Sequence, residues 1–425
     1  MPYYRSVGTV PRKRHTQFRQ PNGELYYEEM IGEEGFSSTF SLLYHRNVPA
    51  AFTGSDPWEL PDQATRPNHP IRHLHLKLHD LKGEGSRPAD VVRDRRLILG
   101  NDDLRISYVT ATEASPLYRN ALGDECLYVE SGQGRVESVF GSVDVGEGDF
   151  VVIPRGTIHR WVPQPSADGR GEPLCVYCIE ANSHVVPPAR YLSRYGQLTE
   201  FAPYSERDLF GPAEPLLREG RDIPVYTKHR GPGPTGIAGS VVYAARHPFD
   251  VEGWAGCLYP FRFNVADFEP IIGRVHQPPP VHQVFEGAGF VVCAFVPRMA
   301  DYRPDGIPVP YYHVNADSDE VMFYCGGDYA ARKGSGIGLG SVSVHPAGLS
   351  HGPMPGVMEK ALGTTFHQEL AIMVDTFRPL NVGEAGLACA DDGYATSAAR
   401  VLDVLSPFEP GDGAATVLTN TEEQQ

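Results

Sequence analysis

One pattern in this chain is written twice. Tyr118-Arg119-Asn120, four residues, Glu125, six residues and Gly132 lie over His313-Val314-Asn315, four residues and Glu320, and the six-residue unit from Pro154 to His159 lies over the unit from Pro346 to His351. Both units have the form Pro-x-Gly-x-x-His. Repeats of this kind are sought before any local reading, because a duplicated unit fixes the architecture of the whole. Around the first copy, residues 116–181 alternate as short strands parted by turns such as Gly132-Gln133-Gly134 and Gly146-Glu147-Gly148. That spacing predicts an antiparallel barrel or jelly roll, and the duplication predicts two of them.

The totals agree with a mainly β protein carrying few short helices. A chain of 425 residues with 45 Gly and 38 Pro has the turn content of two strand-rich domains. The expected division is a first barrel with an N-terminal extension over 1–210, a linker over 211–245, a second barrel over 246–390, and a polar tail over 391–425. Within the extension, residues 1–50 read as irregular and 54–70 as a surface loop. A helix is expected near 397–405. A net charge of −16 disfavours nucleic acid and anionic membranes as partners. No apolar run reaches the ~18 residues that span a bilayer, and the first twenty residues lack the apolar centre of a secretory signal. Seven scattered cysteines, an odd number, fit a reducing cytoplasm. Cys175 and Cys178 are too few for a closed metal site and read as structural.

The chemistry concentrates in residues 306–356. His313, Glu320 and His351 offer two imidazoles and one carboxylate, the donor set that holds Fe(II) on one face and leaves the other open; catalytic zinc uses such a set too. In the first copy the position of His313 is Tyr118, so Glu125 and His159 remain alone and that copy reads as scaffold. Segment 72–80, RHLHLKLHD, alternates as a half-buried strand with its histidines on the solvated face. His276 and His282 flank the triple proline 278–280, and either could take a proton from a phenol acidified by a metal. His345 lies on the strand entering the site. Tyr329 could donate a hydrogen bond to substrate.

The lettering is similar to that of the cupin β-barrel, which makes the chain a bicupin. It also resembles the homogentisate 1,2-dioxygenase family. The match is carried by the segment from His247 to Trp254, by Pro310-Tyr311-Tyr312-His313, by Asp319-Glu320-Val321-Met322, and by His351-Gly352-Pro353. The resemblance implies a non-haem Fe(II) on His313, Glu320 and His351, with His276 as acid/base group and His282 in reserve. It places Tyr329, His345 and His351 against the substrate. It further implies a small aromatic substrate, O₂ as co-substrate, and an assembly of several copies. Six residues separate His313 from Glu320 here, where better-known members have five, so Asp319 competes as the carboxylate; counting from Glu125 selects Glu320. The reaction implied is opening of the homogentisate ring to maleylacetoacetate. The rivals are another para-hydroquinone such as gentisate, a zinc or manganese cupin isomerase, and a bicupin that only binds small acids.

Overall fold

The computed structural model describes residues 3–61, 63–83, 88–164, 172–232, 235–274, 279–329, 332 and 334–405. Among them the strands form sheets of nine, seven, six and four strands and one two-stranded ribbon. The α-helices are short: Val357–Ala361, Glu384–Ala388 and Ser397–Leu405, the last where the sequence placed one.

The duplication is visible in the strand registers. In the nine-stranded sheet, Glu125–Ser131 lies between Asp149–Ile153 and Leu174–Ala181, and Glu125 faces Ile153 on one side and Glu180 on the other. In the six-stranded sheet, Asp319–Gly326 lies between Ser341–His345 and Leu370–Thr376, and Glu320 faces His345 and Asp375. The two Pro-x-Gly-x-x-His turns repeat as well. Gly156 N–H donates to the Asn120 carbonyl and Gly348 N–H to that of Asn315, each at 2.8 Å. Both glycines have left-handed backbone, φ +84° and +80°, which a side chain would strain. The fold is a duplicated cupin with open strand orders.

The two halves share one core. Phe323 stacks on Tyr177 at 4.6 Å and meets Tyr108 and Tyr128 edge-on at 6.4 Å each. All four rings are essentially inaccessible. Emptying such a position (Phe323→Ala) costs about 3–5 kcal/mol.

Several stretches fold more regularly than their composition implied. The stretch 211–245, read as a linker, contains strands Ile223–Arg230 and Ile237–Ala244, which pair with each other; the first also runs parallel to Leu117–Asn120. Between these two strands Gly231 N–H donates to the Gly236 carbonyl at 3.1 Å. Strands Arg5–Gly8, Tyr27–Gly32 and Phe40–His45 of the extension form a sheet with Val251–Gly256. Strand Phe52–Trp58 joins the hairpin at Ile237–Ala244 and is largely exposed, which is why its sequence reads as a loop.

Strands also cross between halves. Phe261–Asn264 pairs with Asp149–Ile153, and Asn381–Gly383 with Arg96–Gly100. Strand Leu74–Lys77 pairs with Ser341–His345, so the histidine-rich segment backs the second half. His75 is accordingly fully buried, held by Ser341 Oγ at 2.8 Å and Asp391 at 3.2 Å, and the solvated-face expectation does not hold for it.

A candidate metal centre in the second half

His313 and His351 reach each other by a two-hydrogen-bond bridge, each backbone N–H on the other's carbonyl at 2.9 Å. Gly352 lets the two loops touch. A Cβ there would stand 2.7 Å from Tyr312 Cδ1 and 3.0 Å from its Cα. Each histidine then donates Nδ1–H to the carbonyl two residues before it, His313 to Tyr311 at 3.1 Å and His351 to Leu349 at 3.2 Å. Those bonds fix the tautomer and leave both Nε2 atoms as acceptors. Both point at Glu320 Oε2, from 3.6 and 3.4 Å.

The donor atoms of His313, Glu320 and His351 all lie within 4.8 Å of one another. Atoms that each stand about 2.0–2.2 Å from a shared ion are separated by roughly 3 Å or a little more, so these need only small adjustments. Burial opposes the charge on Glu320, yet the close imidazoles of His313, His345 and His351 hold its carboxyl well below the usual carboxylate range. Asp319, the competing carboxylate, is committed elsewhere: Oδ1 accepts Ala347 N–H at 2.8 Å and Oδ2 accepts Leu380 N–H at 2.7 Å.

His345 stands behind the site. Its Nδ1 meets Glu320 Oε1 at 2.9 Å and its Nε2 meets Tyr394 Oη at 3.2 Å. Burial and the Arg332 charge push its imidazole down to about 3, so it is neutral. With both nitrogens engaged it supports Glu320, and it is absent from the cavity wall described next. That is a different place from the substrate contact the resemblance implied.

In front of the ligand set is a cavity of about 410 Å³, whose walls include His282, Phe295, Tyr324, Tyr329, Arg332 and Asp375. The Tyr329 hydroxyl and Asp375 Oδ1 are buried without a hydrogen-bond partner among the described residues, an arrangement native interiors rarely leave unexplained. Asp375 is pushed up to about 8 by burial and by the nearby Glu320 carboxylate. His282 stacks on Phe295 at 4.5 Å. His276 lies outside the described residues.

Sequence reasoning missed Asp375, Arg332 and Tyr394, and it placed His73 on a solvated strand face. His73 comes from the first half, donates to the Ser350 carbonyl at 3.2 Å and meets the rings of His345 and His351 at 5.4 and 6.1 Å. Of the three missed residues Asp375 had a signal, since it occupies in the second copy the register place of Glu180.

The first half is built differently at the matching point. Glu125 takes a fork from Arg95, Nη1 at 2.8 Å and Nη2 at 3.1 Å, and further bonds from Tyr118 Oη and Asn120 Nδ2, each at 3.1 Å. His159 Nε2 stands 3.9 Å from Glu125. A second trio of possible donors, Glu33, Asp124 and His184, also lies within 4.8 Å. There Asp124 accepts the backbone N–H groups of Arg155 and Val185, and His184 pairs with Glu33 at 3.2 Å.

No family model matches the chain. Among curated proteins it is 37% identical over 401 residues to a protein of Saccharolobus solfataricus named "Putative dioxygenase", covering 93% of this chain and 99% of that one. It is 28% identical over 292 residues to the homogentisate 1,2-dioxygenase of Nitrobacter hamburgensis, covering 66% and 61%. The chain belongs to the homogentisate 1,2-dioxygenase family. It is an enzyme of the dioxygenase class. A cupin barrel protein from Leptotrichia buccalis aligns with TM-score 0.31 and 11% identity over 72% of this chain and 96% of its own. No helix among the described residues is long and apolar enough to cross a membrane.

Proposed function

We propose that this protein opens the ring of homogentisate to maleylacetoacetate, with Fe(II) held by His313, Glu320 and His351. The observation that carries this reading is the convergence of two Nδ1-protonated imidazoles and one carboxylate oxygen beside a cavity of about 410 Å³, whose wall includes His313 and Glu320. The donor set suits ferrous iron, and the partnerless Asp375 oxygen on the same sheet face as Glu320 suits a cation nearby. When bound, such an ion acidifies a coordinated phenol and lets substrate and O₂ react together.

The chain's own residues have separate tasks. His313 and His351 present neutral Nε2 lone pairs, and His345 orients Glu320 from behind. Phe295, Met322 and Met373 furnish apolar walls for an aromatic ring and keep water from it. Tyr329 offers its hydroxyl proton to a substrate oxygen. The resemblance gives proton transfer to His276; of the two histidines in that segment, His282 has its ring on the described cavity wall. Replacing each with Asn assigns the role, because the base variant keeps its iron and loses turnover at least about tenfold.

The same proposal takes the first half as a metal-free scaffold, and the active form as a cytoplasmic homo-oligomer. Gentisate is the less favoured substrate, since dioxygenases for it generally use three histidines and this site has Glu320. The test is O₂ uptake by protein reconstituted anaerobically with Fe(II) and given homogentisate, then gentisate. One O₂ consumed per homogentisate, with a ring-opened product in the near ultraviolet, is the expected result. Iron binding without consumption of homogentisate overturns the substrate assignment.

A further inference from the structure

Two arginines line the cavity, and only one of them is paired with a carboxylate among the described residues. Arg298 donates Nη2 to Glu369 Oε1 at 2.8 Å. Arg332 donates Nη1 to the Gly352 carbonyl at 2.8 Å, and no carboxylate pairs with it among the described residues. A guanidinium keeps its charge at any physiological pH and carries five donors, so the Gly352 carbonyl and the Tyr324 hydroxyl that Arg332 bonds leave part of its fork unused. Glu320 and Asp375 line the same cavity. In a chain of net charge −16, an anionic ligand would be repelled from this cavity unless a cation received it.

We infer that Arg332 is the specificity-determining residue for an acidic side arm, binding the substrate carboxylate through its free guanidinium edge. This inference rests on the reading of the cavity as the substrate site, and it names the chemical class that the site selects: an aromatic diol carrying a carboxylate rather than a neutral diol. The placement fits a ring whose side arm is next to the hydroxyl that faces the ligands, because the carbonyl that Arg332 holds belongs to Gly352, the neighbour of His351. Tyr329, three residues earlier, brings a second unspent donor to the same cavity. A carboxylate there meets a planar fork, the geometry in which arginine exceeds lysine.

The test compares homogentisate with 2-methylhydroquinone, which keeps both hydroxyls and lacks the carboxylate. Binding is measured anaerobically on the Fe(II)-loaded protein by calorimetry, for the wild type, Arg332→Gln and Arg332→Lys, with iron content determined in parallel. The wild type binds homogentisate more tightly than 2-methylhydroquinone. Arg332→Gln weakens homogentisate about 100-fold, Arg332→Lys about 10-fold, and both leave 2-methylhydroquinone within about twofold, the loss expected for charge-assisted hydrogen bonds. Equal weakening of both ligands, a preference that survives in Arg332→Gln, or no preference in the wild type overturns the inference. Should Arg332→Gln not fold, the wild-type preference and Arg332→Lys still decide it. O₂ uptake separates the two claims: equal consumption of both diols by the wild type refutes the role of Arg332 and leaves ring cleavage standing. Arginine-dependent binding of homogentisate without O₂ uptake supports the role and refutes the proposed reaction.

Discussion

The two halves of this molecule are the same construction finished in two ways. Each sets a glutamate at the start of a central strand, after an aspartate whose two oxygens take backbone N–H groups: Arg155 and Val185 for Asp124, Ala347 and Leu380 for Asp319. Each brings up a histidine whose Nδ1 is bound to the carbonyl two residues earlier, Thr157 for His159 and Leu349 for His351. They part at the neighbours of the glutamate. In the first half Tyr118 replaces the bridging histidine and Ile153 stands where His345 stands in the second. The cation is Arg95, from the residue before strand Arg96–Gly100; the comparable edge strand Gln283–Gly287 follows His282, whose ring faces an open cavity. Glu180 is neutralised by Lys228 at 2.8 Å and Arg95 at 3.1 Å, whereas its counterpart Asp375 has no such partner among the described residues. A buried carboxylate needs a cation. One half supplies a covalently attached guanidinium, and the other keeps a donor set with room for an exchangeable ion.

The sharpest way to break this comparison is to remove each glutamate. Glu320→Ala is expected to lower bound iron by about 100-fold or more, with His313→Ala and His351→Ala close behind, while Glu125→Ala leaves iron content unchanged; metal analysis after reconstitution reads both. Equal losses would mean that the first half also holds metal.

The next effect is on stability. Arg95→Met leaves Glu125 and Glu180 buried beside an apolar side chain, and truncating one partner of such a pair costs about 3–5 kcal/mol in denaturant unfolding. Its iron content should match the wild type. A metal-dependent stability change in this variant would contradict the division of labour.

Acid titration distinguishes the halves in another way. Burial opposes the charge on Glu125, but Arg95 holds its carboxyl down to about 2 from an ordinary 4.5. A carboxyl depressed on folding contributes stability that is present above its unfolded value and is lost as pH falls toward its folded one, here from about 4.5 to about 2. Unfolding curves of the wild type should steepen in that window, and those of Glu125→Gln should be flatter there. The smallest effect tests what the halves share. Asp124→Asn and Asp319→Asn each weaken two backbone hydrogen bonds and should cost a similar 1–3 kcal/mol, as an order of magnitude, in thermal unfolding. A much larger cost at Asp319 would give that carboxylate a task beyond holding its loop.

What could be read in advance was local. His313, Glu320 and His351 sit in two short repeated motifs whose turn glycines and strand alternation dictate the backbone, so spacing alone brings their donors together. The duplication and the strand-rich fold follow from the same lettering, and Glu320 could be chosen over Asp319 by counting. The rest depends on partners distant in the chain. Arg95 meets Glu125 across 30 residues, His75 meets Ser341 across 266, and Asp375 faces Glu320 only through sheet register. Strand Leu74–Lys77 looked half-solvated because nothing near it in sequence says that a second-half sheet will cover it. Sequence by itself determined which donors exist and how each local turn aims them. The tertiary structure decided which carboxylate is met by the protein's own guanidinium and which is met only by imidazoles, because charge compensation in a buried site depends on distances that strand pairing alone sets.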